Sequence, residues 1–154
     1  MMRPFQSTKS KVIAAVLIAL AVPMGAISYM GLFQESFLFH PRMDSPDQKI
    51  QTVTPHEEIW KEVDGLKIHS LFFPNNGAKT LILYFHGNAG TIGEPWARVA
   101  DTLAANLHVA VWLMDYPGFG LSEGHIKNQE QIMNIAEAFF AAIPERGKFD
   151  RVFL

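Results

Sequence analysis

The chain has 154 residues, enough for one modest domain, and a formal net charge of −2. That balance gives no basis for a nucleic-acid partner. There is no cysteine, which excludes disulfides, cysteine nucleophiles and thiolate metal sites.

The first stretch is apolar. Arg3, Lys9 and Lys11 precede a nearly uncharged run of 22 residues, Val12 to Phe33. At 1.5 Å per residue a helix of that length spans roughly 30 Å, about a bilayer core. Pro23, Gly25 and Gly31 lie in its second half, where membrane helices tolerate them. No polar face appears along it, unlike the helix of a soluble domain. After the run come only Arg42 and Lys49, beside Glu35 and Asp44. The asymmetry predicts a single-pass anchor, with residues 1–11 cytoplasmic, 12–33 in the membrane and the rest translocated. The alternative is a cleaved signal segment, with small residues at Ala26 and Ser28, giving a secreted or periplasmic domain. Residues 34–55 read as a linker: Phe37 to Pro41 is juxtamembrane, and Asp44 to Pro55 is polar and proline-bearing.

The folded domain is expected over 56–154. Glu57 to Val63 and Leu66 to Phe73 flank Asp64-Gly65, the signature of a tight antiparallel hairpin. In the second strand Lys67 and His69 share a face, which predicts a partly exposed strand near a sheet edge. His69 accordingly reads as a surface residue. Thr80 opens a short apolar run that ends in Phe85-His86-Gly87-Asn88-Ala89-Gly90. A run this short, bounded by turn residues, reads as a buried strand. Its small-residue tail can aim backbone N–H groups at a bound oxyanion. Pro95 to Asn106 follows helical spacing, with Trp96, Val99, Ala100 and Leu103 on one face. His108 to Met114 is a second buried strand, and strand–helix–strand in this order predicts a parallel pair. A glycine-rich loop, Asp115 to Gly124, leads to a helix over Asn128 to Ile143. Its inward face is predicted to carry Ile132, Ile135, Ala136, Phe139, Phe140 and Ile143. Arg151 to Leu154 begins a further strand.

Taken together, His86-Gly87-Asn88-Ala89-Gly90 and Asp115-Tyr116-Pro117-Gly118-Phe119-Gly120-Leu121-Ser122-Glu123-Gly124 resemble elements of the α/β-hydrolase superfamily. With the anchor, Phe39-His40-Pro41 and the Asp64-Gly65 hairpin, they resemble its membrane-anchored Bem46/ABHD13-like branch of serine hydrolases. The resemblance covers essentially the whole chain. It implies an α/β fold: an antiparallel hairpin, then parallel βαβαβ, as the first part of a mostly parallel sheet. It also implies hydrolysis of carboxylic ester, thioester or amide bonds of a small acyl substrate, without cofactor or metal. The family's first oxyanion donor follows the His-Gly pair, which here is the backbone N–H of Asn88, with Gly87 shaping the turn. His86 is expected to orient that turn, and Gly90, Asp115, Gly118 and Gly120 to support it. His86 is not the base, because the family's base comes last in the chain.

Gly120-Leu121-Ser122-Glu123-Gly124 matches the nucleophile pattern but not its context. A nucleophile elbow follows a strand directly, whereas Ser122 lies seven residues past Asp115 in a loop. The only histidine after it is His125, three residues on, with no room for an acid between them. The expectation is therefore an N-terminal portion of a hydrolase, whose nucleophile, acid and base lie beyond Leu154, and which is inactive as given. The alternative from a different class is a non-catalytic, membrane-tethered α/β binding module. The six histidines are scattered without ligand spacing, so a metal enzyme is not expected.

Overall fold

The computed structural model describes residues 8–47 and 50–154, and of Glu94 the backbone alone. Arg3 and Lys49, used in the charge asymmetry, lie outside the described residues, as does most of the expected cytoplasmic segment. The chain divides into two units after Phe37. The first is dominated by helix α1, Thr8–Leu32, of 25 residues with mean hydropathy 2.2 over its most apolar window. It is long and apolar enough to cross a membrane, and none of its residues is buried. Tyr29 packs against Phe33, with ring centroids 4.8 Å apart. A short helix, α2, follows at Gln34–Leu38.

The second unit is a mixed α/β layer structure. Its strands are β1 (His40–Pro41), β2 (Glu57–Val63), β3 (Leu66–Phe73), β4 (Thr80–Phe85), β5 (Ala89–Gly90), β6 (Ala110–Met114) and β7 (Arg151–Phe153). Five of them form one sheet in the order β2-β3-β6-β4-β7. The β2–β3 and β3–β6 pairs are antiparallel; β6–β4 and β4–β7 are parallel. This is the expected hairpin followed by parallel βαβαβ. The hairpin turn has positive φ at both Asp64 (52°) and Gly65 (74°), as a two-residue type I′ turn requires.

Helices cover both faces of the sheet. Helix α3 (Ala97–Leu107) enters through a π-helical turn at Ile92–Trp96, which absorbs Pro95 before the regular helix begins. Helix α4 (Gln129–Ala141) is capped by the Asn128 side chain, which accepts from the Gln131 N–H; α5 (Ile143–Arg146) is a short continuation. Strand alternation sorts the core into two layers. Ile68, Phe72, Leu81, Leu83 and Trp112 pack toward Ile135 and Phe139 of α4. Leu71, Phe73, Val111 and Leu113 pack toward Ala97, Ala100 and Ala104 of α3.

Four expectations need correction. Strand β3 does lie near the sheet edge, second in the order, but it is not partly exposed: β2 and β6 flank it, and every residue from Ile68 to Phe73 is buried. His69, expected at the surface, is 2% exposed. The α3 core face is rotated by about one residue: Ala97, Ala100, Asp101 and Ala104 are buried, while Val99 is exposed. The small alanines permit close approach to the sheet, and Asp101 is buried on the same face. On α4, Phe140 likewise points outward, at 53% exposure.

Candidate active site

The two glycine-rich elements meet at the carboxyl ends of β4 and β6. The strand order places this point at the topological switch, because the chain passes from β6 through α4 to β7 on the far side of β4. Ligands in open α/β sheets bind outside the strand ends at such points.

Asp115 is the hub. It directly follows β6 and its side chain is 1% exposed. Its Oδ1 accepts from the Ile92 N–H at 2.9 Å, which ties the turn after β4 to the end of β6. Its Oδ2 faces His69 Nδ1 at 3.2 Å. A carboxylate only accepts, so Nδ1 carries that proton. Gly120 backs onto the same carboxylate at φ +53°; a Cβ there would overlap Asp115. Gly118, at φ +80°, would set a Cβ 3.0 Å from the Gly124 carbonyl oxygen. The conformation and the close approach together require glycine at both positions.

Ser122 is spent on structure. Strand β3 pairs with β6 only from Ser70 to Phe73, where Ser70 lies opposite Met114. Beyond Met114 the chain turns away, and the loop takes over the ladder. The Asp115 N–H donates to the His69 carbonyl, and the His69 N–H donates to Ser122 Oγ at 2.9 Å. Ser122 Oγ donates in turn to the Asp115 carbonyl at 3.2 Å. Glu123 extends the pattern: its carboxylate accepts from the Lys67 N–H, and its own N–H donates to the Lys67 carbonyl. Ser122 is fully buried with both hydroxyl roles occupied.

The turn after β4 presents the opposite case. Gly87, Asn88 and Ala89 are exposed. His86 is 2% exposed, and its Nδ1–H donates to the Gly87 carbonyl at 2.7 Å. In a trans peptide the C=O and N–H point in opposite directions. Anchoring the Gly87 carbonyl on the buried ring therefore turns the Asn88 N–H away from it. Among the described residues nothing accepts from that N–H. The ring is wedged against Tyr116 and Phe119, at centroid distances of 4.6 and 5.2 Å. Its Nε2 stands 3.7 Å from Asp115 Oδ1 without a hydrogen bond. Burial holds the His86 imidazole below its ordinary value, outweighing the Gly87 carbonyl and the Asp115 charge.

Residues 40–44, expected to be linker, lie across this site. The His40 N–H donates to the Asn88 carbonyl at 2.8 Å, and β1 pairs in parallel with β5. Asn88 Nδ2 donates to the Leu38 carbonyl at 2.8 Å. Local sequence holds no signal for these contacts, which are made by distant segments; His69 is covered both by Asp115 and by Trp60, its partner across the hairpin, with ring centroids 4.8 Å apart. Among the described residues no three or more His, Asp or Glu side chains gather as a metal site.

Residues 80–152 match the family model for the alpha/beta hydrolase fold. The uncharacterized protein YfhR of Salmonella typhi is 32% identical over 97 residues, covering 58% of this chain and 32% of YfhR. The alpha/beta hydrolase domain-containing protein WAV2 of Arabidopsis thaliana is 28% identical over 139 residues, 84% of this chain and 44% of WAV2. An esterase of Pyrococcus furiosus superposes with a TM-score of 0.56 at 15% identity, over 75% of this chain and 45% of that one. The fold is that of the α/β-hydrolases. The chain spans less than half the length of the curated relatives it matches.

Proposed function

We propose that the α/β-hydrolase domain is the amino-terminal part of a serine hydrolase acting on carboxylic ester, thioester or amide bonds. The observation that carries this reading is that Asn88, at the carboxyl end of β4, is an exposed residue whose N–H finds no acceptor among the described residues. In acyl transfer the carbonyl π electrons move onto oxygen as the nucleophile adds to carbon. In this reading the Asn88 N–H donates to that oxygen, where charge appears only in the transition state. His86 acts through the Gly87 carbonyl to set the N–H direction, and Asp115 holds the turn through Ile92.

In this reading the nucleophile follows β7, not β6. Phe153 of β7 lies opposite Ile82 of β4. A chain continued in that register would draw level with Phe85 three residues later. A strand-to-helix elbow there would bring a serine beside the Asn88 turn. The acid and the base histidine would come later still, in the family's chain order. Ser122, with its hydroxyl committed, takes no part.

The test uses the full-length gene product, labelled with a fluorophosphonate probe and assayed on p-nitrophenyl acyl esters. One serine outside residues 1–154 should be labelled. Asn88→Pro, which deletes the N–H, should lower kcat by about 10²–10³-fold. Asn88→Ala, which keeps the N–H, should fall far less. No labelled serine, or equal losses in the two variants, would defeat the reading.

A further inference from the structure

The Asn88 turn has little to hold it in shape. Its residues are small and exposed, so burial does not fix them. Such a segment loses more conformational entropy on ordering than a packed one. An oxyanion donor is useful only when its direction is set before the reaction. Asp115 and His86 grip the turn from inside, through Ile92 and Gly87. From outside, the grip comes from the segment Leu38 to Asp44.

That segment touches both glycine-rich elements. At one end Leu38 accepts from the Asn88 side chain, and the His40 N–H donates to the Asn88 carbonyl. Pro41 sits opposite Gly90, whose φ is +88°. At the other end the Gly120 N–H donates to the Arg42 carbonyl at 2.8 Å, and the Asp44 N–H donates to the Gly120 carbonyl at 2.9 Å. Asp44 also closes on the entry to α3: a Cβ on Gly93 would stand 3.0 Å from its Oδ2. Seven residues that read as linker in the sequence thus bond to Asn88 on one side and Gly120 on the other. Gly120 in turn lies against Asp115, so the strap closes a loop of contacts around the turn.

We propose that Leu38–Asp44 is a positioning strap that orders the Asn88 turn. The proposal rests on the oxyanion reading for its catalytic consequence, but the ordering is measurable without catalysis. The full-length protein, its His40→Pro variant and its His40→Ala variant are compared by amide hydrogen exchange over residues 86–91. His40→Pro deletes the N–H that reaches Asn88; His40→Ala keeps it. The strap predicts exchange about tenfold faster or more in His40→Pro and an unchanged rate in His40→Ala. It also predicts a kcat loss of about 10²-fold with KM nearly unchanged in His40→Pro, the pattern of an interaction made in the transition state. Asp44→Pro, which cuts the other end, carries the same exchange test should His40→Pro fail to fold. Unchanged exchange in the folded proline variants overturns the strap, even where a serine is labelled and the hydrolase reading stands. Faster exchange with no labelled serine in any variant keeps the strap and removes the hydrolase.

Discussion

Ser122 sits in a Gly-x-Ser-x-Gly string, yet its hydroxyl is used twice, accepting from His69 N–H and donating to the Asp115 carbonyl. A nucleophile needs a hydroxyl that can be deprotonated and swung toward substrate, and Ser122 can do neither without breaking the join between β3 and the loop. Ser122→Ala leaves the buried His69 N–H without its acceptor, a cost of about 1–3 kcal/mol. Urea unfolding should show that loss, while fluorophosphonate labelling of the full-length protein is unchanged. Loss of labelling in a folded Ser122→Ala protein would instead make this serine the nucleophile. The sequence pattern alone excluded Ser122 through chain order and its distance from the strand. It misplaced His69, because alternation along β3 shows which residues share a face but not what covers that face. The cover is shared between Trp60, opposite His69 in the hairpin, and Asp115, 46 positions away.

At the scale of elements, strands and hairpin were legible because their signals are local: a short apolar run, two turn residues, a period of two. The rotation of α3 was not, because its buried face includes a carboxylate. Asp101, 6% exposed, accepts from the backbone N–H groups of Val53 and Thr54, each at 2.7 Å, and from the Thr54 hydroxyl. The residues before β2 are thereby fastened to α3. Burial alone would push the Asp101 carboxyl up, but these hydrogen bonds, with His56 nearby, bring it below its ordinary value of 3.8. The unfolded chain then takes up the proton at a higher pH than the folded one. The stability this contact contributes is full above 3.8 and fades as pH falls through the folded value. Asp101→Asn cannot make the same bonds, since its amide NH2 would face backbone donors. Urea midpoints should therefore separate wild type from Asp101→Asn at pH 7 and converge in acid. A gap of constant size down to pH ~3, below the ordinary Asp range, would refute the linkage.

For the molecule as a whole, the question is whether α1 holds the protein in a membrane. A helix of 25 residues rises about 37 Å, more than the roughly 30 Å of a bilayer core, and no residue of α1 is buried in protein. A solvent-exposed helix of this composition would be unstable in water, because an apolar surface on every side has nothing to cover it. Lipid supplies that cover without a partner. Leu20 stands midway along α1, where an arginine costs about 2.5–3.5 kcal/mol in helix insertion and a leucine favours it. The full-length protein should therefore resist alkaline carbonate extraction, and Leu20→Arg should move a large share of it into the supernatant. The mass of the wild-type protein recovered from cells decides between anchor and signal segment. An intact amino terminus in the pellet fits an anchor. A soluble product lacking α1 would mean that the apolar run directs export and is removed, and the domain would then work free of the membrane.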